Sequence, residues 1–208
     1  MRSIRSMLLA RSYDRAMRRS EAGYLGRWRR ALLATIRGEV LELGAGTGVN
    51  LQHYPRAVSR LVLAEPNDEM RHRLTERIAR SGRRRILVDG SGAEMIGFGD
   101  AAFDAVVCTL VLCSVRDQAV TLSEARRVLR PGGRLYVLEH VLASESQLAR
   151  WQRVAEPVWR FFSHNCHLTR NTAEAIVRTG FQWERFEALH APSGPVFTRA
   201  FIRGVATK

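Results

Sequence analysis

Val40-Leu41-Glu42-Leu43-Gly44-Ala45-Gly46-Thr47-Gly48 is a short apolar strand that runs straight into a glycine-rich turn. Gly44, Ala45 and Gly46 let the backbone turn sharply and approach a ligand closely, and Asn50 to Tyr54 is placed to begin a helix. A second apolar run, Arg60-Leu61-Val62-Leu63-Ala64, ends at Glu65, twenty-one positions after Gly44. That spacing is near the ~20 expected for a carboxylate that binds ribose hydroxyls. Strand, glycine turn, helix, strand and acid together describe a nucleotide site; the plain alternative is an ordinary strand-to-helix loop.

Spacing narrows the nucleotide. A dinucleotide site wants G-x-G-x-x-G, with a pyrophosphate on the helix N-terminus, but the third glycine here comes one place early at Gly48, and Val49 stands where it is expected. A cofactor without phosphates is favoured. The stretch resembles motif I of the class I methyltransferases that use S-adenosylmethionine (SAM), in the form E-x-G-x-G-x-G at Glu42, Gly44, Gly46 and Gly48. Three further stretches follow in that superfamily's order. Gly92-Ala93-Glu94 resembles its adenine loop, usually G-D-A-E, with Gly92 in place of the aspartate, which leaves backbone groups of Ala93 and Glu94, or Glu94 itself, to meet the base. Asp104 beginning a strand and Thr109 ending it fit the fourth motif, and that strand reads on through Leu110 to Val115. A helix around Leu122, Ala125, Val128 and Leu129 then stops at Pro131-Gly132-Gly133 before a strand from Arg134 to Glu139.

A closer resemblance is carried by Cys108 to Val115, by Glu139-His140 and by Leu168-Thr169-Arg170. This set is similar to the alkyl-thiol methyltransferase-like (methyltransferase type 11) branch. The resemblance implies an α/β, Rossmann-like class I methyltransferase fold: a seven-stranded, mostly parallel sheet with an antiparallel last strand and helices on both faces. It implies SAM as cofactor, with Glu42 toward the methionine amine, Glu65 toward the ribose, and Pro66, the Gly44-Ala45-Gly46 turn and Gly48 among the other cofactor-binding residues. Gly92, Ala93 and Glu94 would lie near the adenine, with Cys108, Thr109 and Leu110 at the end of the fourth motif. Tyr13, in a Tyr-Asp pair, would close over the methionine end. Animal members carry a hydrophobic N-terminal anchor; the basic start of this chain departs from them, so tight membrane insertion is not carried over.

The 208 residues suffice for one domain with an ample core, read as a helical cap over 1–38 and a methyltransferase domain over 39–208. Cys108, Cys113 and Cys166 are odd in number and lack C-x-x-C spacing, which favours a reducing, cytoplasmic setting over a disulfide framework. The net charge of +13 is uneven: residues 1–38 hold ten arginines against Asp14 and Glu21. Such a segment suits peripheral contact with anionic lipid, or is a solvated helical face. Nothing interleaves aromatic with basic residues as an RNA-binding surface does, so no nucleic-acid partner is expected. Oligomeric state is left open.

Leu25, Trp28, Leu32 and Ile36 predict a helix over 24–36, and Ile4, Leu8, Tyr13 and Met17 a weaker one before it. Met70, Leu74 and Ile78 predict another, ended by Ser81-Gly82, before a strand from Arg85 to Val88. Residues 146–163 read as a helix with Leu148, Trp151, Val154, Val158 and Phe162 on one face, kinked at Pro157, whose exposed aromatics would form a substrate lid. Asn171 with Glu174 makes a capping-box spacing. The runs 181–189 and 197–205 read as an antiparallel pair. His164-Asn165-Cys166-His167 is too crowded for all its donors to face one ion, so no metal is expected there.

The chemistry so implied is methyl transfer to a small molecule, with a thiol as leading acceptor. A lipid amine or a quinone-type acceptor, or a SAM-binding module without catalysis, remains open. His140, at the C-terminal end of its strand, is the candidate catalytic base, or else a residue that only orients the pocket.

Overall fold

The computed structural model describes residues 17–163 and 165–208. Tyr13, most of the first predicted helix and His164 lie outside the described residues.

Seven strands form one sheet in the order β3-β2-β1-β4-β5-β7-β6. They are β1 (Gly38–Leu43), β2 (Val58–Ala64), β3 (Ile86–Asp89), β4 (Phe103–Thr109), β5 (Leu129–His140), β6 (Gln182–His190) and β7 (Ala200–Thr207). β1 to β5 pair in parallel, and β7 alone runs antiparallel, between β5 and β6. The strand order reverses between β1 and β4, so the crevice past their C-terminal ends is where such sheets take ligands.

Five α-helices flank the sheet among the described residues: α1 (Gly26–Leu33), α2 (Asp68–Ser81), α3 (Gln118–Val128), α4 (Ser146–Phe162) and α5 (Thr172–Arg178). Asn67 caps α2 by accepting from the Glu69 and Met70 amides, and Gly82 closes it in the left-handed region. Asp117 caps α3 and Asn171 caps α5 in the same manner. One core layer packs Leu41, Val106, Val137 and Ile202 with α3 and α5 residues; the other packs Val40, Leu63, Val107 and Leu138 with Leu32, Leu33 and Leu74.

Local readings shift in five places. The helix expected over 24–36 is α1 preceded by a π-turn, Glu21–Leu25, within which Gly23 leaves helical geometry. The helix expected from Asn50 is a single 3-10 turn, Val49–His53. β4 stops at Thr109, because Leu110 turns the chain at φ +62°. β5 begins at Leu129, so Pro131-Gly132-Gly133 lies inside the strand as a register shift against β4 and not before it. α4 forms over the expected span with Pro157 inside it, but only its first expected face residue, Leu148, is buried; Trp151, Val154, Val158 and Phe162 are exposed. No helix among the described residues is long and apolar enough to cross a membrane.

Candidate functional site

A cavity of about 400 Å³ opens at the C-terminal edge of the parallel strands. Gly44 and Gly46 line it after β1, Glu65, Pro66 and Asn67 after β2, and Gly92, Ala93 and Glu94 after β3. Leu110 and Val111 follow β4, His140 ends β5, and Met17, Trp159, Ser163 and Cys166 close the outer side. Five parallel strands thus deliver residues far apart in the chain to one crevice.

The three glycines of the turn serve different ends. All sit at positive φ, where a side chain is strained. A Cβ at Gly44 would come within 2.5 Å of Val111 Cγ2, and one at Gly48 within 2.6 Å of Leu74 Cδ1. Both are packing constraints. At Gly46 the nearest neighbour would be Met70 Sδ at 3.8 Å, so that position faces open cavity and is where a ligand can approach the backbone. Glu65 fixes the turn: its Oε2 accepts from the Gly46 amide at 2.8 Å and its Oε1 from the Asn67 amide at 2.9 Å. Burial raises its pKa, and the two amide bonds work in the opposite direction.

Glu42 is not among the residues that line the cavity; it stands behind the glycine turn, fully buried. Its Oε1 accepts from Asn50 Nδ2 at 2.8 Å and its Oε2 from the Tyr54 hydroxyl at 2.6 Å. Burial outweighs these bonds and lifts its pKa to about 7. Asn50 also donates to Thr109 Oγ1, and Arg29 reaches in from α1 to donate to Thr109 Oγ1 at 2.7 Å and Asn50 Oδ1 at 3.1 Å. Arg29 is itself buried and paired with Glu21 at 3.0 Å. Ala45, Gly48, Cys108 and Thr109, like Glu42, are not among the residues that line the cavity, and the bonded set of Glu42, Asn50, Tyr54, Thr109 and Arg29 forms a second layer behind its wall. Arg29 was hidden in the sequence among the basic residues of a segment readable as a solvated face.

The end of the cavity beyond β4 and β5 is built by Glu139 and Arg170. Glu139, fully buried, accepts from the amides of Val111, Leu112 and Cys113 at 2.8, 2.9 and 3.3 Å, which turns the chain out of β4. Arg170 donates to the carbonyls of Leu112 and Val115, Asn165 to that of Ser114, and the His167 amide to that of Cys113. The loop after α4 is thereby fastened to the loop after β4, and Cys113, His140 and Cys166 meet. His140 Nδ1 lies 3.7 Å from Cys166 Sγ, and its ring packs on Phe201 with centroids 4.2 Å apart. The hydrogen bond from Cys113, and then His140, hold the Cys166 thiol below the ordinary thiol range, while its bond to Cys166 and burial push Cys113 up. His167 turns away from this cluster, to Glu156 on α4 at 3.3 Å. Sequence spacing gave no sign of the cluster, because its members are separated by more than twenty residues each and meet only through Glu139 and Arg170.

The expected cofactor fits this crevice. It has one open glycine position, an acid already oriented by two amides, a loop of small residues at 92–93, and a volume in the ~300–1,000 Å³ range of small-molecule sites. Of α4 and the residue after it, Trp159 and Ser163 reach the cavity, while the stripe expected to form a lid is exposed to solvent.

Comparison with known proteins agrees. Residues 41–137 match a family described as "Methyltransferase domain". Human "Thiol S-methyltransferase TMT1A" is 38% identical over 172 residues, covering 81% of this chain and 70% of that protein. A "Demethylmenaquinone methyltransferase" of Mycobacterium tuberculosis is 33% identical over 144 residues, covering 66% of this chain and 58% of that one. Among solved structures, a SAM-dependent methyltransferase of Thermotoga maritima superposes with a TM-score of 0.70 at 22% identity, over 95% of both chains.

Proposed function

Because this chain belongs to the class I SAM-dependent methyltransferases and is an enzyme of that kind, we propose that its acceptor is a small-molecule thiol, methylated on sulfur. The observation that carries the reading is the acceptor end of the cavity, where two cysteine sulfurs and an imidazole meet beside the apolar side chains of Leu110, Val111 and Trp159. The thiol S-methyltransferase relative supports it.

SAM supplies an already activated methyl group on a sulfonium, so the work left to the protein is position and exclusion of water. Glu65, held by the Gly46 and Asn67 amides, is oriented to accept from ribose hydroxyls. Ala93 and Glu94 offer the groups for the adenine. Glu94 Oε1 is engaged by the Arg116 amide at 2.8 Å, which leaves its Oε2 for the ligand. Glu42 acts by bracing Asn50 and Tyr54 behind the turn. An acceptor thiol with a pKa near ~8.5 yields enough thiolate at neutral pH without a base. His140 accordingly works through the cysteine pair that it faces and not as a free proton acceptor.

The N-terminal segment acts as a cap over the cavity. Met17 lines the cavity and Arg29 ties α1 to the second layer, which supports that role. The setting is cytoplasmic, and the arginines of this segment make peripheral contact with anionic lipid. A panel of alkanethiols, phenols, amines and quinols, with S-adenosylhomocysteine as readout, tests the acceptor class. Turnover on thiols well above the others is expected; preferential turnover on a quinol or amine would overturn it.

A further inference from the structure

We propose that Cys113, His140 and Cys166 form a three-ligand site for a zinc ion whose fourth position, facing the cavity, binds the sulfur of the acceptor. The inference rests on the thiol reading above. It joins three observations: the ligand atoms of all three residues lie within 4.8 Å of one another, all three line the cavity, and each comes from a different part of the chain that is separately fastened.

The donor set suits the ion. Two thiolates and one neutral imidazole balance the charge of a dication, so a buried site carries no net charge, and three protein ligands with one open place is the arrangement of catalytic zinc. Tetrahedral zinc with bonds of about 2.3 Å to sulfur and 2.0–2.1 Å to nitrogen needs its ligand atoms roughly 3.5–3.8 Å apart. His140 Nδ1 and Cys166 Sγ already stand 3.7 Å apart, and the remaining closure is within reach of a side-chain rotation. The surrounding shell is that of a supported site: Glu139 grips the amide of Cys113, the His167 amide grips its carbonyl, and Phe201 backs the imidazole. His164 and His167 are not needed, which is why the crowded run around Cys166 reads poorly as a site on its own.

The chemistry balances. The acceptor R–SH loses its proton to solvent as its sulfur bonds zinc. A lone pair of that sulfur then forms the new S–CH₃ bond while the methyl–sulfonium bond of SAM breaks, its electron pair remaining on the sulfur of S-adenosylhomocysteine. The neutral thioether is a weak ligand and leaves, so one proton is released per turnover and no oxidant or reductant is consumed. Zinc would hold the thiol ionised well below its own pKa, an advantage an unassisted thiolate lacks.

The test uses the full chain, reduced with a phosphine instead of a thiol and stripped with a chelator, then titrated with Co²⁺ under nitrogen. One Co²⁺ per chain is expected, with a thiolate-to-cobalt band in the near ultraviolet and the strong visible bands of tetrahedral coordination, all abolished by one equivalent of Zn²⁺. Cys113→Ser and Cys166→Ser should each weaken binding by more than the ~10–100-fold that loss of an outer-shell partner costs. Retained SAM affinity in these variants shows that they fold. Adding 2-mercaptoethanol should intensify the thiolate band. If the stripped wild type binds SAM yet takes up no stoichiometric Co²⁺ or Zn²⁺, or if Cys113 and Cys166 are found instead as a disulfide that turns over normally, the site is overturned while the methyltransferase reading stands. If metal binds but stripping leaves thiol turnover unchanged, the acceptor role is overturned. If metal binds and no thiol is methylated with any loading, it is the thiol reading that fails.

Discussion

Replacing Glu42 by Gln should make the enzyme more stable at pH 8 and leave it nearly unchanged at pH 4.5. Glu42 is fully buried, and its carboxyl titrates at about 7 in the folded chain against an ordinary value of 4.5. Between those pH values the folded chain holds a proton that the unfolded chain has lost, so stability falls as pH rises through the window and is level above it. At ~1.4 kcal/mol per tenfold change in proton affinity, the full cost is about 3.5 kcal/mol, an upper figure since a neighbouring residue can rearrange. Gln keeps an acceptor for Asn50, and its amide can donate to the Tyr54 hydroxyl, so the network survives without the charge. For a chain of this size the full gain corresponds to a rise of roughly 7–14 °C in Tm at pH 8. Thermal unfolding of both proteins from pH 4.5 to 8 reads the difference and cancels the contributions of every other group. A variant that is less stable than wild type by the same amount at every pH would refute the reasoning and mean that Arg29 holds Glu42 ionised throughout.

Gly46→Ala should weaken SAM binding at least ~10-fold at a folding cost of about 1–2 kcal/mol, the strain of the left-handed backbone alone, whereas Gly48→Ala should cost more stability by driving into Leu74; calorimetry and SAM titration separate the two. Glu65→Ala removes a carboxylate that orients the turn and accepts from the cofactor, worth ~1.5–3 kcal/mol, so SAM should bind about ten- to a hundredfold more weakly; a loss below about threefold would place the ribose elsewhere. Removing residues 1–19 should speed SAM release, measured by stopped flow, because Met17 lines the cavity; an unchanged rate would deny the cap. Binding of the full chain to vesicles rich in phosphatidylserine should fade between low and physiological salt if the arginines of 1–38 make the contact, and its absence at low salt would leave that segment as cap alone.

How far the sequence could be read depended on whether an effect was local. The sheet and its capped helices follow from apolar runs, Asn67, Gly82 and Asp117, which act within a few residues of themselves. Gly44, Gly46 and Glu65 were legible because their spacing is set by one strand-turn-helix unit and the 92–94 loop because it resembles the superfamily's adenine loop, and the cavity gathers them. Leu110 to Val115 looked like more strand because their side chains are apolar; what turns them is a carboxylate twenty-six to twenty-eight residues downstream that collects three amides. Arg29 showed only as one more basic residue, since its burial depends on Asn50 and Thr109. The stripe Trp151, Val154, Val158 carries a helical period, but periodicity does not say which face meets the protein. Gln152, which accepts from the Ala143 amide and donates to the Val141 carbonyl, decides that for α4.

The most direct test of the central claim is a single turnover with SAM carrying a trideuterated methyl group and a small alkanethiol, followed by mass spectrometry of both products. A trideuteromethyl thioether and S-adenosylhomocysteine in equal amounts, with both lost together in Gly46→Ala, is the predicted result. S-adenosylhomocysteine formed without a labelled thioether, or no reaction in a protein shown to bind SAM, would contradict it.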